Sequence, residues 1–87
     1  MTPENAEILA LEALGWLAGD QDAIQRFLDL SGIDGAELRA AAGSPGTAVA
    51  VLDFLLANEE LLVRFCEDSS VKAKDIHMAR HRLGGEF

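Results

Sequence analysis

The sequence predicts an all-α fold: a single domain over residues 1–87, built as a compact bundle of five or six short helices. Three observations lead there. Helix start and stop signals recur along the chain at helix-length intervals. No segment alternates apolar and polar residues for long enough to form a strand. The apolar supply, 49% of 87 residues, is almost all Leu, Ile, Val and Ala, with one Trp, four Phe and no Tyr. That composition suits helices more than sheets, and it is ample for one core.

Thr2-Pro3 opens the first helix, with Thr as cap and Pro at the first helical position, and Gly19 stops it. Asp20 caps a second helix with the stripe Ile24, Phe27 and Leu28, ended by Gly32. Asp34 caps a short third helix. Glu37 completes a capping box, Ile33 and Leu38 form a hydrophobic staple, and Gly43 closes it. Ser44-Pro45 opens the fourth helix, TAVAVLDFLLA. Its VAVLDFLL core is the strongest strand candidate, but the flanking caps and the length favour a helix. Asn58 caps a fifth helix, with Glu59 and Glu60 at the positive end of its dipole and Leu61, Leu62, Phe65 and Cys66 as its stripe. Ser69-Ser70 breaks it. A sixth helix, about 73–83, shows Ile76, Ala79 and Leu83 on one side and ends at Gly84-Gly85.

A shift of 38 residues lays residues 13–41 over 51–79, with six of 29 positions identical. Leu14/Leu52, Leu17/Leu55, Arg26/Arg64, Phe27/Phe65 and Ser31/Ser69 are among the matches, and Trp16/Phe54, Asp20/Asn58 and Leu38/Ile76 are alike. Two pseudo-repeated three-helix halves are the natural grouping. Any two series of capped amphipathic helices share some of this likeness. The sharpest departures are Leu30 against Asp68 and Gly32 against Ser70. The expected core is Ile8, Leu14, Leu17, Ile24, Phe27, Leu28, Leu38, Leu52, Leu55, Leu62, Phe65, Cys66 and Ile76.

Gly15-Trp16-Leu17-Ala18, Val51-Leu52-Asp53-Phe54-Leu55-Leu56 and then Phe65-Cys66 carry a resemblance. From about Ala6 to Gly84 the chain resembles the domain-of-unknown-function family numbered 3572, small alphaproteobacterial proteins. That family has no established activity, so the resemblance brings no catalytic residues. It implies a proline at the start of the last helix, where this chain has Val71-Lys72-Ala73-Lys74.

The net charge is −8. Residues 1–71 hold 13 acids and three bases, whereas four bases and both His follow from Lys72 onward. An acidic body repels phosphate backbones and anionic lipid. The apolar runs Ile8–Ala18 and Ala48–Ala57 are short, and Glu12 and Asp53 break them, so no membrane span is expected. With no signal segment, the expectation is a soluble cytoplasmic chain.

The chemistry-bearing motifs are weak. Cys66, the lone cysteine, rules out an internal disulfide and falls late in its helix beside Glu67 and Asp68, a setting that disfavours a thiolate. A small core residue is the plainer reading. His77 and His81 lie four apart on one helix, but Met78 stands where HExxH needs its Glu. The acid pairs Asp20/Asp22, Glu59/Glu60 and Glu67/Asp68 sit at helix ends and lack the calcium loop pattern. No phosphate loop, dinucleotide fingerprint or nucleophile elbow is present, so neither a cofactor nor an enzymatic activity is expected.

Two surfaces stand out. Lys72, Lys74, His77, Arg80, His81 and Arg82 make the last helix basic, and LDLSGIDGAELRAA and CEDSSVKAKDIHMA both have helix-turn-helix spacing. Nucleic acid is nonetheless the weaker reading, because a −8 chain gains little from counterion release. Gly15, Trp16 and Gly19 on the first helix, and Ala50, Asp53 and Ala57 on the fourth, form small-residue edges suited to close helix approach. Packing of the two central helices on each other is the plainer use of these edges. A homodimer or a protein partner is the functional one. The leading expectation is a non-enzymatic protein-interaction module with a protein partner of unspecified identity.

Overall fold

The structure, a computed structural model, describes residues 1–84. Gly85, half of the expected glycine stop, lies outside them. Six helices follow in order: α1 Pro3–Ala18, α2 Gln21–Ser31, α3 Gly35–Ala41, α4 Pro45–Ala57, α5 Glu59–Ser69 and α6 Ala73–Gly84. No strand occurs among the described residues.

Local side-chain chemistry sets most boundaries. Thr2 Oγ1 accepts from the Asn5 N–H at 3.1 Å, and Asp20 Oδ1 accepts from Asp22 N–H (3.0 Å) and Ala23 N–H (3.2 Å). Asp34 and Glu37 form the reciprocal capping box, at 2.8 and 3.0 Å. Ser44 Oγ accepts from the Thr47 N–H at 3.2 Å. Asn58 departs from expectation, since its side chain makes no cap bond to α5. It is the single residue between α4 and α5, and its amide turns back to donate to Phe54 O at 2.8 Å. The orphan carbonyl of α4 wins the side chain, and the acids Glu59 and Glu60 face the α5 dipole.

Three helices share the centre, rather than the two expected. Helix α6 packs along both α1 and α4, which also pack on each other. Ala6, Leu9, Ala10, Ala13, Leu14 and Leu17 form the buried stripe of α1. Val51, Leu52 and Leu55 of α4 and Ile76 and Ala79 of α6 are fully buried. Helices α2 and α5 flank this centre and bury Phe27 and Phe65.

The expected core holds for Leu14, Leu17, Phe27, Leu38, Leu52, Leu55, Leu62, Phe65 and Ile76. Ile24, Leu28 and Cys66 are half-buried against its edge. Ile8 is a correction: it is 55% exposed. Helix α1 is apolar on most faces, and the stripe that packs starts at Ala6 and runs at spacings of three and four, which leaves Ile8 and Leu11 outside.

The 38-residue shift reappears in the fold. It carries the bounds of α2 onto those of α5 and the start of α3 onto the start of α6. It also carries Gly32 (φ 77°) onto Ser70 (φ 56°), each a left-handed residue closing its helix. Two edge-to-face aromatic pairs exchange under it. Trp16 meets Phe65 at 5.6 Å between ring centroids, and Phe54, the counterpart of Trp16, meets Phe27, the counterpart of Phe65, at 5.5 Å. The correspondence fails at α3 and α6: α6, with 12 residues, reaches the centre, and α3 has only seven.

Only glycine adopts the left-handed region without a Cβ clash. Gly32→Ser should therefore destabilise the fold by about 0.5–1 kcal/mol, and Ser70→Gly should stabilise it by up to about the same amount. Urea denaturation of the two variants beside the parent chain measures both.

Candidate functional site

Between α2 and α4 runs an open apolar groove. Phe27 and Phe54 form its floor, and Ala50 and Ala57 lie two turns apart along α4. Leu30 stands over it at 75% exposure, the most exposed large apolar side chain among the described residues. The two polar side chains in the groove are already engaged. Ser31 Oγ donates to Phe27 O at 2.8 Å, and Asp53 is ion-paired with Arg80 of α6. The expected edge Ala50, Asp53 and Ala57 is one wall of this groove.

The other expected edge, Gly15, Trp16 and Gly19, lines a separate hollow with Asp20, Arg64 and Asp68. The two edges do not meet. A Cβ at Gly15 would have no atom within 4 Å, and Gly19 is the terminal cap of α1. The close approach expected there is made instead by Ala6, Ala10 and Ala13 on the buried stripe.

Polar contacts line this second hollow. The Trp16 indole N–H donates to Asp68 Oδ2 at 2.8 Å. The Arg64 guanidinium lies 5.8 Å from the Trp16 ring centroid and reaches Asp20 Oδ2 at 3.2 Å. Asp20 thus caps α2 and anchors α5 with one carboxylate. The N–H groups of Ala23 and Asp22 and the Arg64 cation together hold its pKa below the usual carboxylate value, against the opposing effect of desolvation.

The six expected basic residues do not form one face. Lys72, Lys74, His77, His81 and Arg82 are exposed, whereas Arg80 turns toward Asp53. Arg82 Nε donates to the Met1 carbonyl at 2.7 Å. His77 and His81 share a shallow hollow with Met1, Met78 and Arg82. No cluster of three His, Cys, Asp or Glu suited to a metal occurs among the described residues. Burial raises the pKa of the Cys66 thiol, and the charges of Asp75 and Glu67 push it the same way. A small cavity between α1 and the start of α4 offers about 40 Å³, room for about one water. No single described helix is long and apolar enough to cross a membrane. Helices α3 and α4 have the composition only as a pair bent by 118°, and the buried residues of α4 belong to the core.

Sequence reasoning singled out Ala50, Asp53 and Ala57 but not Phe27, Leu30 and Phe54 as a surface. The usable signal is Leu30 itself, three residues after Phe27 and the counterpart of Asp68 under the 38-residue shift. The model of a family described as "Protein of unknown function (DUF3572)" matches residues 3–86. No curated protein and no solved structure matches the chain.

A folded-state pKa depressed below the unfolded value stabilises above the unfolded value, and the gain is lost as pH falls through the folded one. The stability advantage of the parent chain over Asp20→Asn should therefore shrink below about pH 4. Thermal melts of both proteins across the acid range check this.

Proposed function

The chain belongs to the DUF3572 family, whose description assigns no activity, and from that premise we propose a non-enzymatic protein-interaction module that holds its partner in the α2–α4 groove. Leu30, 75% exposed over an apolar groove, carries the reading. An isolated surface leucine is ordinary; one that extends an apolar hollow supports an interaction reading. The titratable groups give supporting detail. The Cys66 thiol is pushed up and the Asp20 carboxyl down, and both directions run against nucleophile or general-acid work near neutral pH.

A photo-crosslinker placed at residue 30 tests the reading in the native host. It should capture a defined partner. A crosslinker at Ile8, on the exposed side of α1, should not, and capture from a second crosslinker at Ala57 in the groove should disappear when Leu30→Glu is added. Equal capture from residue 30 and from Ile8 would sink the proposal.

The nucleic-acid reading through α6 has less support. Arg80 is held by Asp53 and Arg82 by the Met1 carbonyl, and the remaining cations sit on a −8 chain. Fluorescence anisotropy with duplex DNA should find no binding tighter than about 10 μM at about 50 mM salt, where electrostatic association is strongest.

A further inference from the structure

We propose that the α2–α4 groove accepts a short amphipathic helix with basic flanks, supplied by another protein, at one site per chain. This rests on the groove reading above and adds the chemistry of the occupant.

The walls favour a helix. The groove runs between two α-helices, whose main-chain groups are largely spent within the helices themselves. It offers no ladder of free N–H and C=O groups to an extended strand. A helix, which satisfies its own backbone, therefore suits these walls better than a strand does. Ala50 and Ala57, two turns apart on one face of α4, let such a helix approach closely. The facing side of the occupant must be apolar, because Ser31 and Asp53 already have partners and a buried polar group without one is costly.

The rim calls for cations. Asp29 adjoins Leu30, Asp34 caps α3 three residues beyond Ser31, and Glu59 follows Ala57 across Asn58; all three acids are exposed. Of the bases near α2 and α4, Arg80 pairs with Asp53, and Arg26 lines a separate polar hollow with Asp22 and Glu60. A second copy of a −8 chain would bring like charge to this rim, whereas a basic segment is drawn toward it.

The repeat explains why there is one site and not two. The 38-residue shift carries Gly15, Trp16 and Gly19 onto Asp53, Phe54 and Ala57, and it carries Leu30 onto Asp68. The hollow at Trp16 is thus the counterpart of the groove. There Asp68 takes the indole N–H and Arg64 lies over the ring, so the counterpart is lined by polar groups already engaged with one another where the groove is mainly apolar.

The test titrates the full ¹⁵N-labelled chain with two designed helical peptides, one Leu/Lys and one Leu/Glu, with the same apolar face. The Leu/Lys peptide should shift amide signals of residues 27–31 and 50–57 with 1:1 stoichiometry. Leu30→Ser, with unchanged circular dichroism, should weaken it at least about ten-fold, and Ile8→Ser should not. Equal or tighter groove binding by the Leu/Glu peptide would overturn the basic flank and leave the groove reading standing. Groove shifts that depend on protein concentration without peptide would identify a second copy and overturn the inference. Equivalent binding at Trp16 would overturn the single site. Silence at the groove with both peptides would overturn this inference and the groove reading together.

Discussion

Close packing of alanines is the constraint on which the rest of this fold depends. Ala6, Ala10 and Ala13 on α1, Ala48 on α4 and Ala79 on α6 are buried where larger side chains would hold the helices apart. Short side chains bring helix axes toward the near end of the usual range of about 8–10 Å. With three helices drawn together at the centre, Leu17, Leu52, Leu55 and Ile76 fill what remains. The longer side chains are pushed to the flanks, and there α2 and α5 dock through Phe27 and Phe65. A larger residue at Ala13 or Ala79 would strain a seam with no spare volume.

The flanks then diverge from one ground plan. Each docks an α2-type helix through an edge-to-face aromatic pair, and each leaves a hollow beside that pair. At Trp16 the hollow is lined by polar groups that engage one another: an indole donor, a carboxylate and a guanidinium. At Phe54 no such donor exists, and Leu30 replaces the carboxylate. One flank is thereby tied down while the other keeps apolar surface in water, a cost of about 25 cal/mol per Å² that a partner would relieve. The divergence turns on two side-chain identities, because the helix bounds are shared.

The boundaries of the helices were legible because capping is local chemistry. Asp20, Asp34 and Ser44 act on N–H groups two or three residues away, and their neighbours in sequence are their neighbours in space. Asn58 eludes such a reading because two helix ends one residue apart compete for one amide, and composition does not rank the competitors. Ile8 eludes it because a helix apolar on most faces gives periodicity nothing to select. The central place of α6 was hidden behind its charge: Ile76 and Ala79 are two small signals among four bases and two histidines. The groove depends on where α2 lies against α4, a tertiary fact. The repeat still pointed at it, since position 30 was one of the two sharpest departures between the halves.

Trp16 is the sole tryptophan of the chain, and its indole N–H and ring face are both engaged by α5. The near-ultraviolet emission of the molecule therefore originates at the junction of α1 and α5. The counterpart ring on the open flank is Phe54, which is almost dark in that window. The protein is thus optically lopsided. Its intrinsic fluorescence reports whether the tied flank is intact, and events in the groove reach that signal only indirectly, through the packing of α2 and α4 on α1 or the Asp20–Arg64 pair.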